Sequence, residues 1–402
     1  MSSPGGVLHR VAQSFQTSLR LGLTSFGGPV AHLGYFERTY VKQLQWLSAE
    51  EYSQTVALCQ LLPGPTSSQV NFLIGMRHAG WRGGIASWAG FTLPSAIALF
   101  AFAVFAPGLQ SPMMLAVLHG LKLVAVSVVA QAVFSMARRL CPDLPRAGIA
   151  IVATAAALLP GNAFAQIGAI ALGGVAGWLL CRRAKMEGGP VSIGVPRKLA
   201  KICGALFFIL LAALPLLALV APNGIAPIID ITYRAGALVF GGGHVVLPLL
   251  RDALVPPGIL NDDTFLAGYG AAQAMPGPLF TLAAYLGAAA APEGFRTVWA
   301  IGALLFIFLP GLLAATAGAS VWQWLVKHPA APGALAGVNA AVVGILAAAF
   351  YNPVWKSAIL GLPDIFVAMA GFLLLERLKA PPLVVVTLCV VSAVLLHLAG
   401  KA

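Results

Sequence analysis

Apolar runs of about 17 to 25 residues, separated by short polar or Pro/Gly stretches, recur along nearly the whole chain. At 1.5 Å per residue, about 20 residues cross a bilayer core of about 30 Å, so each run predicts a helical span. The pattern yields thirteen segments: 14–36, 52–76, 83–106, 113–137, 146–160, 163–181, 199–220, 228–250, 264–291, 297–318, 333–352, 357–376 and 382–399. Short alternating segments of the β-barrel kind do not occur. The expected fold class is an all-α polytopic membrane protein.

Two of these runs are interrupted in the same way. QLLPGPTSSQ (60–69) and QAMPGPLFTLA (273–283) each place Pro-Gly-Pro inside an otherwise apolar helix. Laying the first half over the second also matches TSFGGPVAHLGYF (24–36) to LVFGGGHVVLPLL (238–250) and GFTLPSAIAL (90–99) to LFIFLPGLLA (305–314). The chain therefore reads as a duplication: a first repeat domain over 1–181, a basic loop and linker span over 182–227, and a second repeat domain over 228–402. Six spans plus one linker span is an odd number, so equivalent spans run in opposite directions. That is the inverted-topology plan of many secondary transporters, with the substrate site where the halves meet.

Composition agrees with a membrane protein, at 59% hydrophobic and 9% charged residues. The net charge of +12 follows the positive-inside bias rather than a nucleic-acid surface, since no basic patch is interleaved with aromatics. With a cytoplasmic N-terminus, Arg10, Arg77, Arg82, Arg138, Arg139, Arg251 and the loop RRAKMEGGPVSIGVPRKLAK (182–201) fall inside. Arg38, Lys42, Arg234, Arg296, Lys356 and Lys401 fall outside. The five cysteines form no CxxC pair, so neither a zinc site nor a disulfide framework is expected. No cofactor is called for.

An unpaired backbone group in hydrocarbon costs several kcal/mol, so Pro63-Gly64-Pro65 and Pro276-Gly277-Pro278 are tolerated only against protein or a wet cavity. The helix restarting at Thr66, Ser67 and Ser68 presents free N–H groups, hydroxyls and a positive helix end, which suits a tetrahedral oxyanion. Gln60, Gln69 and Gln273 flank the breaks; a simple packing kink is the competing reading. Gly27-Gly28 and Gly241-Gly242 are a second pair of weak points, read either as substrate contacts or as close helix packing. Arg20 and Arg234 each precede the Phe of these motifs by six residues, and Lys122 lies within a span. A buried guanidinium matches a dianion bidentately, whereas snorkelling to the interface is the alternative. His32, His119 and His244 are the candidates for proton coupling, because no carboxylate falls in mid-span.

FGGPVAHLGYF, LCQLLPGPTSSQVNFLIG, WAGFTLPSAIAL, VFGGGHVVLP and QAMPGP resemble the signature motifs of the chromate ion transporter family in its long form with two homologous domains. The resemblance implies efflux of chromate with sulfate as its mimic, chromate resistance, and a multi-pass location in the bacterial inner membrane. Expected partners are the oxyanion and membrane lipid, with no nucleic acid; a homodimer is left open. An oxyanion channel, or an uptake carrier for sulfate or another tetrahedral anion, is the alternative function. A membrane enzyme is disfavoured, because HxxxH, HExxH and paired carboxylates are missing from the spans.

Overall fold

The computed structural model describes residues 6–26, 28–105, 112–158, 163–181, 195–240, 245–327 and 331–399, and the described residues contain helices and no strand. It is a multi-pass membrane protein. Five helices are long and apolar enough to cross a bilayer: Thr66–Phe105, Leu115–Leu140, Arg197–Val220, Arg296–Ser320 and Pro332–Ala358.

The first half runs α1 (Val7–Thr24), α2 (Gly28–Phe36) with a π-helical continuation Glu37–Gln43, α3 (Ala49–Leu61), α4 (Thr66–Phe105), α5 (Pro112–Leu140), α6 (Leu144–Leu158) and α7 (Ala163–Leu180). After α8 (Arg197–Val220) come α9 (Ala226–Leu238), α10 (Val246–Leu254), α11 (Asp262–Ala274), a 3-10 turn Leu279–Thr281 leading into α12 (Leu282–Ala290), and α13 (Arg296–Lys327). The chain closes with α14 (Ala331–Ala349), a π turn and the short α15 (Lys356–Ala358), α16 (Leu362–Glu376) and α17 (Pro382–Leu398). Local chemistry sets several starts. Ser48 and Glu51 form a reciprocal capping box on α3, and Asn261 accepts the Thr264 N–H at the start of α11.

Long α4 is two arms, because Ala79 and Gly80 leave the helical region (Gly80 φ 67°, ψ −164°). The arm before this turn folds back along α3. Arg77 Nη2 lies 2.5 Å from Glu51 Oε1 although the two are 26 residues apart, a separation that a straight helix would stretch to about 39 Å. Segment 52–76, expected as one span, is therefore a hairpin with Pro63-Gly64-Pro65 at its tip. Segment 264–291 is corrected in the same way: Tyr285 donates to Thr264 O at 3.0 Å across 21 residues. Segment 14–36 also folds back beyond Ser25, since Tyr40 Oη is 3.1 Å from Ser18 Oγ. The apolar content of these runs was legible, but chain reversal depended on Pro/Gly tips whose direction local composition does not encode.

The halves interlock. Helix α5 packs on α16 and α17, while α14 packs on α6 and α7. One buried core takes Leu123 and Val129 from α5 together with Leu250, Phe265, Leu282, Ile307 and Leu346 from the second half. Close crossings recur at matching positions. A methyl on Gly22 would sit 2.7 Å from Phe91 O, and one on Gly236 would sit 2.1 Å from Ile307 O, so only glycine allows either helix pair this approach. Helix α8 touches α9 and α13, but only 6% of its apolar window is buried. A helix so apolar around its whole circumference is suited to face lipid.

Candidate functional site

Each Pro-Gly-Pro tip is held by the opposite half. Gly64 donates its N–H to Val239 O at the end of α9 (2.8 Å), and Gly277 donates to Ser25 O at the end of α1 (2.9 Å). Both tip glycines have positive φ, 117° and 101°, a conformation that side chains other than glycine adopt at a cost. Gly64 packs against Gly311 and Gly277 against Ser95, residues that directly follow Pro310 and Pro94 within long helices. The tips and the ends of α1 and α9 thus meet at one place.

At the first tip, Pro65 and Gly64 are buried and Thr66 is partly exposed. Ser67, Ser68 and Gln69, in the first turn of α4, are 2%, 1% and 0% exposed. Gln69 spans the join, donating from Nε2 to Pro63 O (2.7 Å) and Gly311 O (2.9 Å). His32 is equally enclosed: Nδ1 lies 3.3 Å from Ser67 Oγ and Nε2 3.2 Å from Ser25 O. Its ring stands edge-on to Phe91. Ser25, Ser68 and Thr92 hydroxyls and Gln69 Oε1 are buried here without a hydrogen-bond partner among the described residues. Leaving such groups unpaired costs about 1–3 kcal/mol each, so a polar guest at this place is favoured by the scaffold.

The second tip is not equivalent. Thr281 returns its hydroxyl to Pro278 O (2.7 Å), and Phe280, 1% exposed, packs on Phe308. Pro276 is partly exposed, and Gln273 keeps a buried, unpartnered Nε2. The hydroxyl-bearing helix start therefore belongs to the first half alone.

The cations separate as well. Arg234 makes a bidentate pair with buried Asp230, Nε to Oδ1 at 2.9 Å and Nη2 to Oδ2 at 2.5 Å. Lys122 Nζ lies 2.6 Å from Asp263 Oδ1 at the start of α11. Arg20 is exposed on α1 and makes no side-chain ion pair among the described residues; Gln16 stands one turn before it, where α9 has Asp230. The Asp230 signal was present as an i, i+4 spacing, which places two side chains on one helix face.

His119 pairs with the start of α16, with Nε2 2.9 Å from Asp364 Oδ1. Asp364 Oδ2 also accepts the Leu360 and Gly361 N–H groups at the start of α16. That partner is 245 residues away and left no local trace in the sequence. Gln60 is exposed on α3. Gly28 opens α2 with φ 73°. Gly27, Gly241, Gly242 and His244 lie outside the described residues. Among the described residues, no cluster of three metal-binding side chains occurs.

Comparison with known proteins places these features in a family. The profile of the chromate transporter family matches residues 12–178 and 226–395. The chain is 26% identical over 339 residues to the chromate transport protein of Pseudomonas aeruginosa, covering 84% of this chain and 79% of that protein. It is 27% identical over 390 residues to that of Cupriavidus metallidurans, covering 94% and 92%. The probable chromate transport protein of Synechococcus elongatus is 28% identical over 348 residues, covering 85% and 84%. No solved structure matches. Members of this family are transporters and not enzymes. The chain belongs to the chromate transporter family.

Proposed function

We propose that this protein is a secondary carrier for a tetrahedral oxyanion, chromate with sulfate as its mimic, which exports the ion by alternating access and so confers chromate resistance. The observation that carries the reading is the crossing of the two tips: Gly64 on Val239 O and Gly277 on Ser25 O. Beside that crossing lies a helix start carrying the hydroxyls of Thr66, Ser67 and Ser68. Backbone N–H groups and a helix dipole favour an anion there without a fixed counter-charge in hydrocarbon. Arg20, on the same half and without an ion pair among the described residues, supplies the cation that a dianion needs. Arg234 and Lys122, being paired with Asp230 and Asp263, serve the scaffold.

We read the repeats as 1–181 and 228–402, joined by 182–227, in opposite orientation. The two regions matched by the family profile support the division. The hairpins α1–α2 and α3–first arm of α4 start and end on one face of the membrane, and α9–α10 and α11–α12 on the other. The second arm of α4 together with α5, α6, α7, α8, α13, α14, α16 and α17 cross it. These nine crossings keep the N-terminus in and the C-terminus out, in the bacterial inner membrane. Arg38 and Lys42 then join Arg10 and Arg77 on the cytoplasmic side, and Arg251 moves outward; basic residues remain concentrated inside.

Counterflow of labelled chromate in proteoliposomes tests the function. Unlabelled chromate or sulfate inside accelerates uptake of label if the protein is a carrier; uptake indifferent to internal anion overturns alternating access and supports a channel. Chloride at matched concentration competes poorly, and competition equal to that of sulfate overturns the assignment of a dianion site.

A further inference from the structure

Resting on the oxyanion site proposed above, we propose that His32 takes up one proton when the anion binds at the start of α4, so that anion and proton occupy the centre together. The argument begins with hydrogen-bond direction. Ser25 O is a carbonyl and can only accept, so Nε2, 3.2 Å away, carries a hydrogen. In the neutral ring Nδ1 must then accept, and the group in reach is the Ser67 hydroxyl at 3.3 Å. Ser67 has one hydroxyl hydrogen, and in this state His32 holds it.

An oxyanion seated on the first turn of α4 competes for that same hydrogen. If Ser67 turns to the anion, the buried Nδ1 is left without a donor; if it stays, the anion faces the oxygen's lone pairs. Protonation of His32 removes the conflict. A hydronium O–H bond breaks, an Nδ1–H bond forms, Nδ1–H donates to Ser67 Oγ, and the Ser67 O–H donates to the anion. No covalent bond of Ser67 is broken. The added positive charge lies one hydroxyl away from a dianion among almost fully buried residues, where their attraction is strong.

A second, independent observation marks the place as a ligand site. Ser68 in the same turn is 1% exposed and its Oγ has no partner among the described residues, as is true of the Ser25 hydroxyl beside His32. Among the described residues no other ionisable side chain contacts the imidazole, and its ring neighbours are Phe36 and Phe91. Charged and titratable groups on the elements around it are His9, Arg10 and Arg20 on α1, Tyr35, Glu37, Arg38, Tyr40 and Lys42 along its own helix and its continuation, Glu50, Glu51, Tyr52 and Cys59 on α3, and Arg77, His78 and Arg82 on α4. None of these makes a hydrogen bond, ion pair or ring contact with it among the described residues. The tip that reaches in from the second half, Pro276-Gly277-Pro278, carries no ionisable group.

Calorimetric titration of the purified full-length protein with sulfate is the test, because sulfate stays a dianion across the neutral range whereas chromate itself titrates. Runs in buffers of different ionisation enthalpy read proton uptake directly. The wild type is expected to take up about one proton per sulfate above neutral pH, with affinity falling by up to about tenfold per pH unit. In His32→Gln the amide can donate to Ser25 O and accept from Ser67; sulfate binding is weaker, uptake vanishes and the pH dependence flattens. His119→Gln keeps the uptake. Uptake retained by His32→Gln, or sulfate binding by the wild type without uptake, overturns the coupling while leaving the carrier assignment intact. Absence of any sulfate binding by the wild type overturns the oxyanion site and the coupling with it. Should His32→Gln fold poorly, the imidazole 15N resonances of the wild type decide: sulfate must shift His32 from the neutral to the imidazolium pattern, and no shift refutes the proposal.

Discussion

Arg20 and Arg234 hold the same register before their glycine motifs, yet their side-chain surroundings differ. Asp230 grips Arg234 through two oxygens, whereas Arg20, preceded by Gln16, lies on an exposed face with no ion pair among the described residues. Arg20→Ala is expected to reduce chromate flux by about 10- to 100-fold, the loss of one charge-assisted bidentate contact, with normal membrane insertion by cell fractionation. Arg20→Lys keeps the charge and loses the fork, so its defect is about tenfold or less and lies in affinity. Flux unchanged in Arg20→Ala removes Arg20 from the site. Arg234→Ala acts differently, because it strands a buried carboxylate at a cost of about 1–3 kcal/mol. The expected result is a lower thermal midpoint in detergent, recovered when Asp230→Asn is added; a defect in flux with unchanged stability would assign Arg234 to the site instead. Both the repeat of the two arginines and the Asp230 spacing were readable from the chain. Which arginine stays free was not, since it depends on a side-chain pairing that the repeat alone left ambiguous.

Among the helices, the decisive feature is that the Pro-Gly-Pro runs turn back. Proline removes a backbone donor and the glycine adopts positive φ, so the break itself was legible in QLLPGPTSSQ and QAMPGP. Whether the chain continued across the membrane or returned was decided by partners distant in sequence: Arg77 on Glu51, Tyr285 on Thr264, and each tip on a carbonyl of the other half. Cysteines placed at Glu50 and at Arg82 are expected to react with an impermeant thiol reagent from the same, cytoplasmic, face in whole cells and inverted vesicles; labelling from opposite faces restores the straight span. Gly277→Ala tests the tip. At φ 101°, with its methyl only 3.0 Å from Ser95 Oγ, alanine costs about 1–3 kcal/mol, and flux should fall, whereas Gly258→Ala, which carries a similar backbone strain at φ 80° but meets no neighbour, leaves flux intact.

At the scale of the whole molecule, the proposed orientation predicts that a cysteine at Gly189 in the loop 182–201 is labelled only from the cytoplasmic face. Labelling from outside overturns the N-in, C-out arrangement. The interlocked packing of α5 on α16 and α17, and of α14 on α6 and α7, further predicts that the two repeat halves expressed separately are unstable alone and recover flux when expressed together. Stable, active single halves would contradict it, since each would expose the core faces of α5 or α14. The all-α membrane class, the two Pro-Gly-Pro breaks and the hydroxyl-rich helix start were already set by the amino-acid order, because hydrophobic run length and proline chemistry are local properties. Three-dimensional packing alone set the reversals within segments 14–36, 52–76 and 264–291, the hold of each tip by the opposite half of the chain, and the carboxylate partners of Arg234, Lys122 and His119. Those outcomes rest on contacts between residues far apart in the chain, where burial and hydrogen-bond satisfaction are settled jointly by both halves rather than by either segment's own composition.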